Sequence, residues 1–228
     1  MRFSELNWMD VEEYLKSENR IMVVLGASEQ HGYLSLQTDT RIPLALADAA
    51  STRTGVLIAP ELTIGVSPYF LSYPGTISVR SEVYIQFVAD ILRSLYQYGF
   101  KRILILNGHG GNSICSTKLV ELQNELPGLQ LSWYSWWESK SVAALAKKYE
   151  LAPEHASWME AFSFTRVVEL PQGVKPGVSY TGVLSAEETR RKYGDGVFGG
   201  NYQVDEAIMQ ELFDTCLLDV LNLLHFER

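Results

Sequence analysis

The sequence predicts an α/β fold, a mostly parallel sheet with helices on both faces. Three observations point there. Short apolar runs of strand length recur along the chain, at Ile21–Ala27, Val56–Leu62, Arg102–Gly108 and Leu129–Trp136. Longer segments with helical apolar spacing separate them. The first and third runs, "IMVVLGA" and "RILILNG", are almost continuously apolar, as strands covered on both faces must be.

The elements follow in order. After the first strand, "RIPLALADAASTRTG" reads as a helix that stops at Gly55, a residue suited to a helix C-terminus. After the second, "SEVYIQFVADILRSLYQYGF" places Val83, Phe87, Ile91 and Leu95 at intervals of four, read as one face of a helix. After the third, "NSICSTKLVELQNELPG" reads as a helix running toward Gly128. "HASWMEAF" is assigned to a helix, and the end, residues 202–228, to one long amphipathic helix. No internal repeat, low-complexity run or shift in composition divides the chain, so residues 1–228 read as one domain.

Composition narrows the function classes. The 228 residues are 46% hydrophobic and 20% charged, enough apolar content for a substantial core. The net charge of −8, without a basic run, disfavours nucleic acid and anionic membrane surfaces as partners. No apolar stretch reaches the roughly 18 residues of a membrane span, and the N-terminal segment has no signal-type apolar core. Cys115 and Cys216 lie far apart, outside any metal-ligand spacing, and read as buried thiols in a reducing compartment. The expectation is a cytoplasmic protein.

The chemistry gathers at strand ends, where ligands of parallel α/β sheets bind. "GASEQHGYLSLQTDT" follows the first strand and carries Glu29, His31 and Asp39. "NGHGGN" follows the third and carries His109. His155 and Glu160 lie in "HASWMEAF", five apart, able to edge one pocket. Three of the four histidines thus sit in three motifs. Glu29 and His31 alternate along an extended segment and can face one cation. Such mixed nitrogen and oxygen donors suit Zn²⁺, Mn²⁺ or Fe²⁺ rather than Ca²⁺. Taken singly, each motif has a plainer reading. "GHGGN" could cradle phosphate before a helix, though it is neither a dinucleotide fingerprint nor a Walker loop. His155 and Glu160 could be a helix-surface pair, and His225 reads as structural. Asn107 and Asn112 are read as fixing their loop. Trp133, Trp136 and Trp137 could line a pocket mouth.

Together with "YPGTISV" (Tyr73–Val79), these motifs resemble, in order, those of the creatininase family of creatinine amidohydrolases. The resemblance implies a three-layer α/β/α domain, a homo-oligomer (often a hexamer) and a site with two divalent ions. It implies Glu29 and His31 as ligands of one ion each, Asp39 as a bridge, and His109 as a further ligand. Glu160 would complete the second ion or hold a water beside it, and His155 matches the family's catalytic histidine. The sequence also departs from the family. Gly111 stands where creatininase carries a ligand Glu. Tyr33-Leu34 replace a Pro-His, Tyr69-Phe70 stand near an absent Glu-His, and Ala161-Phe162 replace small polar residues. These changes are read as an altered substrate wall, so creatinine is not the expected substrate.

The function this implies is hydrolysis of a non-peptide C–N bond in a small amide, a cyclic amide or a formamide. A water activated between two metal ions attacks, and His155 protonates the departing nitrogen. Two other readings share the site: a peptidase trimming a small peptide in cofactor maturation, and a ligand-binding homologue without turnover.

Overall fold

The computed structural model describes residues 1–178 and 180–227. Its centre is a four-stranded parallel sheet, built from β1 (Arg20–Leu25), β2 (Leu57–Ile58), β3 (Arg102–Asn107) and β4 (Gln130–Ser135) in the order β2-β1-β3-β4. The β1–β3 ladder pairs Arg20 with Arg102 through Leu25 with Asn107, so the two strands end level. The motifs that follow them therefore emerge side by side.

Strand alternation divides the core in two. Met22, Val24, Leu104 and Leu106 face one layer; Ile21, Val23, Leu25, Ile103 and Ile105 face the other. Helices α2 (Thr38–Thr54), α5 (Lys140–Lys148) and α7 (Glu206–Leu223) cover the first side through Ile42, Leu46, Leu145, Leu212 and Val220. Helices α1 (Trp8–Leu15), α3 (Ser81–Tyr98) and α4 (Ser116–Glu125) cover the second. This is the three-layer arrangement the sequence predicts. A two-stranded antiparallel ribbon, β5 (Val174–Lys175) with β6 (Gly200–Asn201), flanks helix α6 (Ala186–Tyr193). No helix among the described residues is long and apolar enough to cross a membrane. Both cysteines are buried free thiols.

Several elements differ from expectation. Helix α2 begins at Thr38, not Arg41, which places Asp39 inside its first turn. The second strand shrinks to Leu57–Ile58, with a single further bridge from Leu62 to Leu25. The segment before α4 is a 3₁₀ turn, Gly110–Cys115. The final helix starts at Glu206 and ends at Leu223; Arg228, included in the expected helix, lies outside the described residues. "HASWMEAF" is not a helix. Ala156 takes a left-handed φ of 59°, and only Trp158–Glu160 form a 3₁₀ turn.

The buried face of α3 is also rotated from the predicted one. Tyr84, Val88, Leu92 and Leu95 are buried, whereas Val83 and Phe87 are exposed. A spacing of four advances about 40° more than a full turn at each step, so such a stripe winds off the core. Leu92→Ala should therefore cost about 2–5 kcal/mol of stability. Val83→Ala should stay within about 0.5 kcal/mol. Denaturant unfolding of both variants checks the assignment, and equal losses would contradict it.

Candidate metal centre

The residue types at the ends of β1 and β3 leave little freedom to the site. Past β1 the chain runs extended through Ser28–Gln30. Ile77 N–H donates to the Ser28 carbonyl (2.9 Å), and Gln30 N–H donates to Thr76 Oγ1 (3.1 Å). The "PGT" segment thus clamps the strand that carries Glu29 and His31. Past β3, the Asn107 side chain donates to the His109 carbonyl (2.9 Å) and accepts from His109 N–H (3.2 Å). Asn112 Nδ2 donates to the Gly26 carbonyl (3.1 Å) and ties the two strand ends together. Both asparagines hold the loop, as the sequence suggested.

Asp39 is the meeting point. Its Oδ1 lies 2.9 Å from His31 Nε2, and its Oδ2 lies 2.9 Å from His109 Nδ1. Glu160 Oε1 is 3.7 Å from His31 Nε2, and Glu29 Oε2 is 3.6 Å from His109 Nε2. The candidate ligand atoms form three trios, Glu29/Asp39/His109, His31/Asp39/Glu160 and Glu29/His31/His155, each within 4.8 Å, and the first two share Asp39. The structure brings together every metal-ligand candidate named from sequence. All five are buried.

Neighbouring groups orient the imidazoles. His31 Nδ1–H donates to the Glu29 carbonyl (3.1 Å), which leaves Nε2 as a lone pair facing the cluster. His109 Nε2–H donates to the Val66 carbonyl (2.9 Å), which leaves Nδ1 facing Asp39. Ala156 N–H donates to Glu160 Oε2 (2.5 Å), so the left-handed residue exists in a turn that presents this carboxylate.

Electrostatics show what the cluster lacks. Burial pushes the Glu29 carboxyl up to about 7, despite His109 nearby. Burial opposes charge on His31, but Asp39 and Glu160 win and hold its pKa well above the ordinary value. His109 is raised to about 9 by Glu29 and Asp39 against its own burial. Burial likewise works against the Asp39 carboxylate, and His31 and His109 overcome it, holding its pKa below the usual range. Three buried carboxylates require positive charge close by. Glu29 Oε2, His31 Nε2 and Asp39 Oδ2 are buried without a hydrogen-bond partner. Donor atoms orphaned in this pattern fit divalent cations.

A cavity of about 500 Å³ opens onto the cluster, and His155 and Glu160 both line it. The half-buried His155 ring stacks on Phe70 (centroids 4.9 Å, 11°) and packs against Phe198 (4.8 Å) and His31 (4.5 Å). Burial, then His31, pushes its pKa down to about 4. Of the wall residues singled out from sequence, Tyr69 and Phe70 line the cavity. Leu34 and Ala161 are instead packed in a small separate cluster with Tyr33 against it, and Phe162 is in the main core. Trp137 lines the cavity, but Trp136 is core and Trp133 packs on the opposite side of the sheet. Phe198 and Met159 are lining residues that sequence reasoning missed; an aromatic in a glycine-rich loop gives no periodic signal. Gly111 also borders the cavity, and a Cβ there would sit 1.9 Å from the Val66 carbonyl oxygen.

This geometry has known counterparts. A model of the creatininase (creatinine amidohydrolase) family matches residues 4–224. The chain is 30% identical over 125 residues to creatinine amidohydrolase from Pseudomonas putida, covering 52% of this chain and 48% of that one. It is 38% identical over 102 residues to the mycofactocin precursor peptide peptidase of Mycobacterium ulcerans, covering 40% of each. These matches span about half or less of the relatives' length. A crystal structure of creatinine amidohydrolase superposes with a TM-score of 0.83 at 21% identity, covering 97% of this chain and 95% of that one. Related creatininase structures are described as a Mn form and a Zn–Zn form. With the family pattern matched across almost its whole length, this chain belongs to the creatininase family.

Proposed function

We propose that this chain is a metal-dependent amidohydrolase that cuts a non-peptide C–N bond in a small substrate, a cyclic amide or a formamide. One observation carries the reading: the two Asp39 oxygens each face a different histidine at 2.9 Å, the arrangement of a carboxylate shared by two ions. Glu29, Asp39 and His109 would hold one ion, and His31, Asp39 and Glu160 the other. Zn, Mn or Fe suits this donor set, and the relatives described as Mn and Zn–Zn forms support the first two. Divalent ions in this set supply Lewis acidity toward a carbonyl oxygen and make an attacking water more acidic.

The chain's own groups then have separate tasks. His155, at the cavity edge beside His31, offers a ring N–H as hydrogen-bond donor to the departing nitrogen. Glu160, its Oε2 tied to Ala156 N–H, orients the second trio. Phe70, Phe198 and Met159 form an apolar wall that limits water at the reacting bond. Peptide trimming, the activity named for the mycobacterial relative, is the second reading. Among the described residues, the cavity lining is rich in apolar and acidic side chains and holds no Lys or Arg, which favours a small neutral amide over a peptide carboxylate. We further propose that residues 1–228 act as one domain in the cytoplasm, within a homo-oligomer that covers the exposed Val83 and Phe87. Light scattering should give a mass above 25.7 kDa, and a monomer would refute the assembly.

Metal-loaded protein should hold close to two ions per chain by elemental analysis. Asp39→Ala should lose both together, because one carboxylate serves both; retention of either at full occupancy would refute the sharing. A screen of formamides, cyclic ureides and short peptides separates the readings, and turnover of peptides alone would overturn the first. Failure to turn over any of them while holding metal would point to the ligand-binding homologue.

His155→Asn should keep metal and lower kcat by about 10²–10⁴-fold. The loss should shrink for substrates whose leaving amine is already acidic. A uniform loss with a lowered Tm would make His155 an architectural residue.

A further inference from the structure

The residue between the two metal-ligand candidates has no task in the reaction so far. Gln30 is buried, and its side-chain amide is held at every polar atom. Its Oε1 accepts from Gly32 N–H (3.1 Å), and its Nε2 donates to the Gly196 carbonyl (3.1 Å). These two bonds fix which end of the amide is nitrogen. The second Nε2 hydrogen points at His155 Nε2, 2.9 Å away. A primary amide nitrogen has no lone pair to offer, so the His155 nitrogen must be the acceptor. A protonated Nε2 would set two donors face to face.

The geometry points to Gln30 as a positioning residue that keeps His155 Nε2 unprotonated, so that the imidazole meets substrate through Nδ1–H. The inference rests on the reading of His155 as hydrogen donor only for its catalytic consequence; control of the ring by Gln30 stands on the contacts alone.

The loop opposite Gln30 is built to keep the amide from turning over. Gly196 has a φ of 93°, and a Cβ there would lie 1.8 Å from Gln30 Oε1, so the amide lies directly on the glycine backbone. Lys175 holds that loop from behind. Its ammonium donates to the Tyr193 carbonyl (2.7 Å) and the Val197 carbonyl (2.6 Å) and pairs with Asp195. Asp195 Oδ1 in turn accepts from Val197 N–H (3.1 Å). The same loop delivers Phe198 to the His155 ring, with Tyr193 stacked behind it at 3.9 Å. Lys175 and Gln30 thus act in series, one fixing the loop and the other transmitting its position to the imidazole.

The test uses full-length, zinc-loaded protein with ¹⁵N-labelled histidine. The chain has only four histidines, so the imidazole nitrogens can be assigned with the His155→Asn spectrum as reference. Long-range ¹H–¹⁵N correlation distinguishes protonated from unprotonated ring nitrogens. Wild-type His155 should show an unprotonated Nε2 and a protonated Nδ1. Gln30→Glu replaces the donor by an acceptor and should protonate Nε2. Lys175→Met, remote from the metal ligands, should give a mixture of tautomers at unchanged zinc content, and it serves where Gln30→Glu fails to fold or to hold zinc. A protonated Nε2 in the wild type overturns the proposal, as does an unprotonated Nε2 that persists in both variants. The leaving-group series separates this from the catalytic role. A locked Nε2 with a flat series supports Gln30's control of the ring and removes His155 from the chemistry.

Discussion

Everything in the site depends on sharing the Asp39 carboxylate. The side chain is buried, and each of its oxygens meets an imidazole carried by a different strand end. A buried carboxylate without a counter-charge is costly, by several kcal/mol even after relaxation. Three stand together here. Placement in the first turn of α2 gives Asp39 some help from the helix N-terminus, on the order of 0.3–1 kcal/mol. That is too little for three charges, so the site needs positive charge brought by protons or by metal. The level ends of β1 and β3 make the sharing possible, because they place His31 and His109 on either side of one carboxylate.

The groups around the cluster act by removing choices. A histidine can bind metal through either nitrogen, and a carbonyl at one nitrogen leaves the other free. Glu29 and Val66 provide those carbonyls, so His31 presents Nε2 and His109 presents Nδ1 to the cluster. The Asn107 and Asn112 bonds and the clamp from Thr76 and Ile77 keep the backbone from shifting. None of these groups touches a substrate. They make the geometry independent of what fills the cavity, which suits a family whose members act on different molecules.

Much of this was readable from the chain. The continuous apolar runs of β1 and β3 identified buried parallel strands, and the scarcity of histidine drew attention to three motifs that do converge. What was not readable has physical causes. The face of α3 was misplaced because a spacing of four drifts around a helix, and the sequence does not say where the drift begins. "HASWMEAF" has helical composition, but Ala156 takes a positive φ where Glu160 reaches back to its N–H, a contact no propensity encodes. Leu34, Ala161 and Phe162 flank motif residues yet face the core, because neighbours in sequence point to opposite sides of a turn. Gln30 and His155 meet a loop, residues 193–198, that lies far along the chain from Gln30, and local pattern carries no trace of that meeting.

Gly111 has a consequence for how such a site can change. The position is closed to any side chain because the Val66 carbonyl, 1.9 Å from where a Cβ would lie, is already engaged by His109. A single codon change to an acidic residue would not add a ligand. It would push away the carbonyl that orients His109. Placing an acidic side chain at position 111 therefore requires residues 65–67 to be rebuilt at the same time. The backbone around Gly111 thus closes that position in this chain, while the cavity wall remains free to diversify.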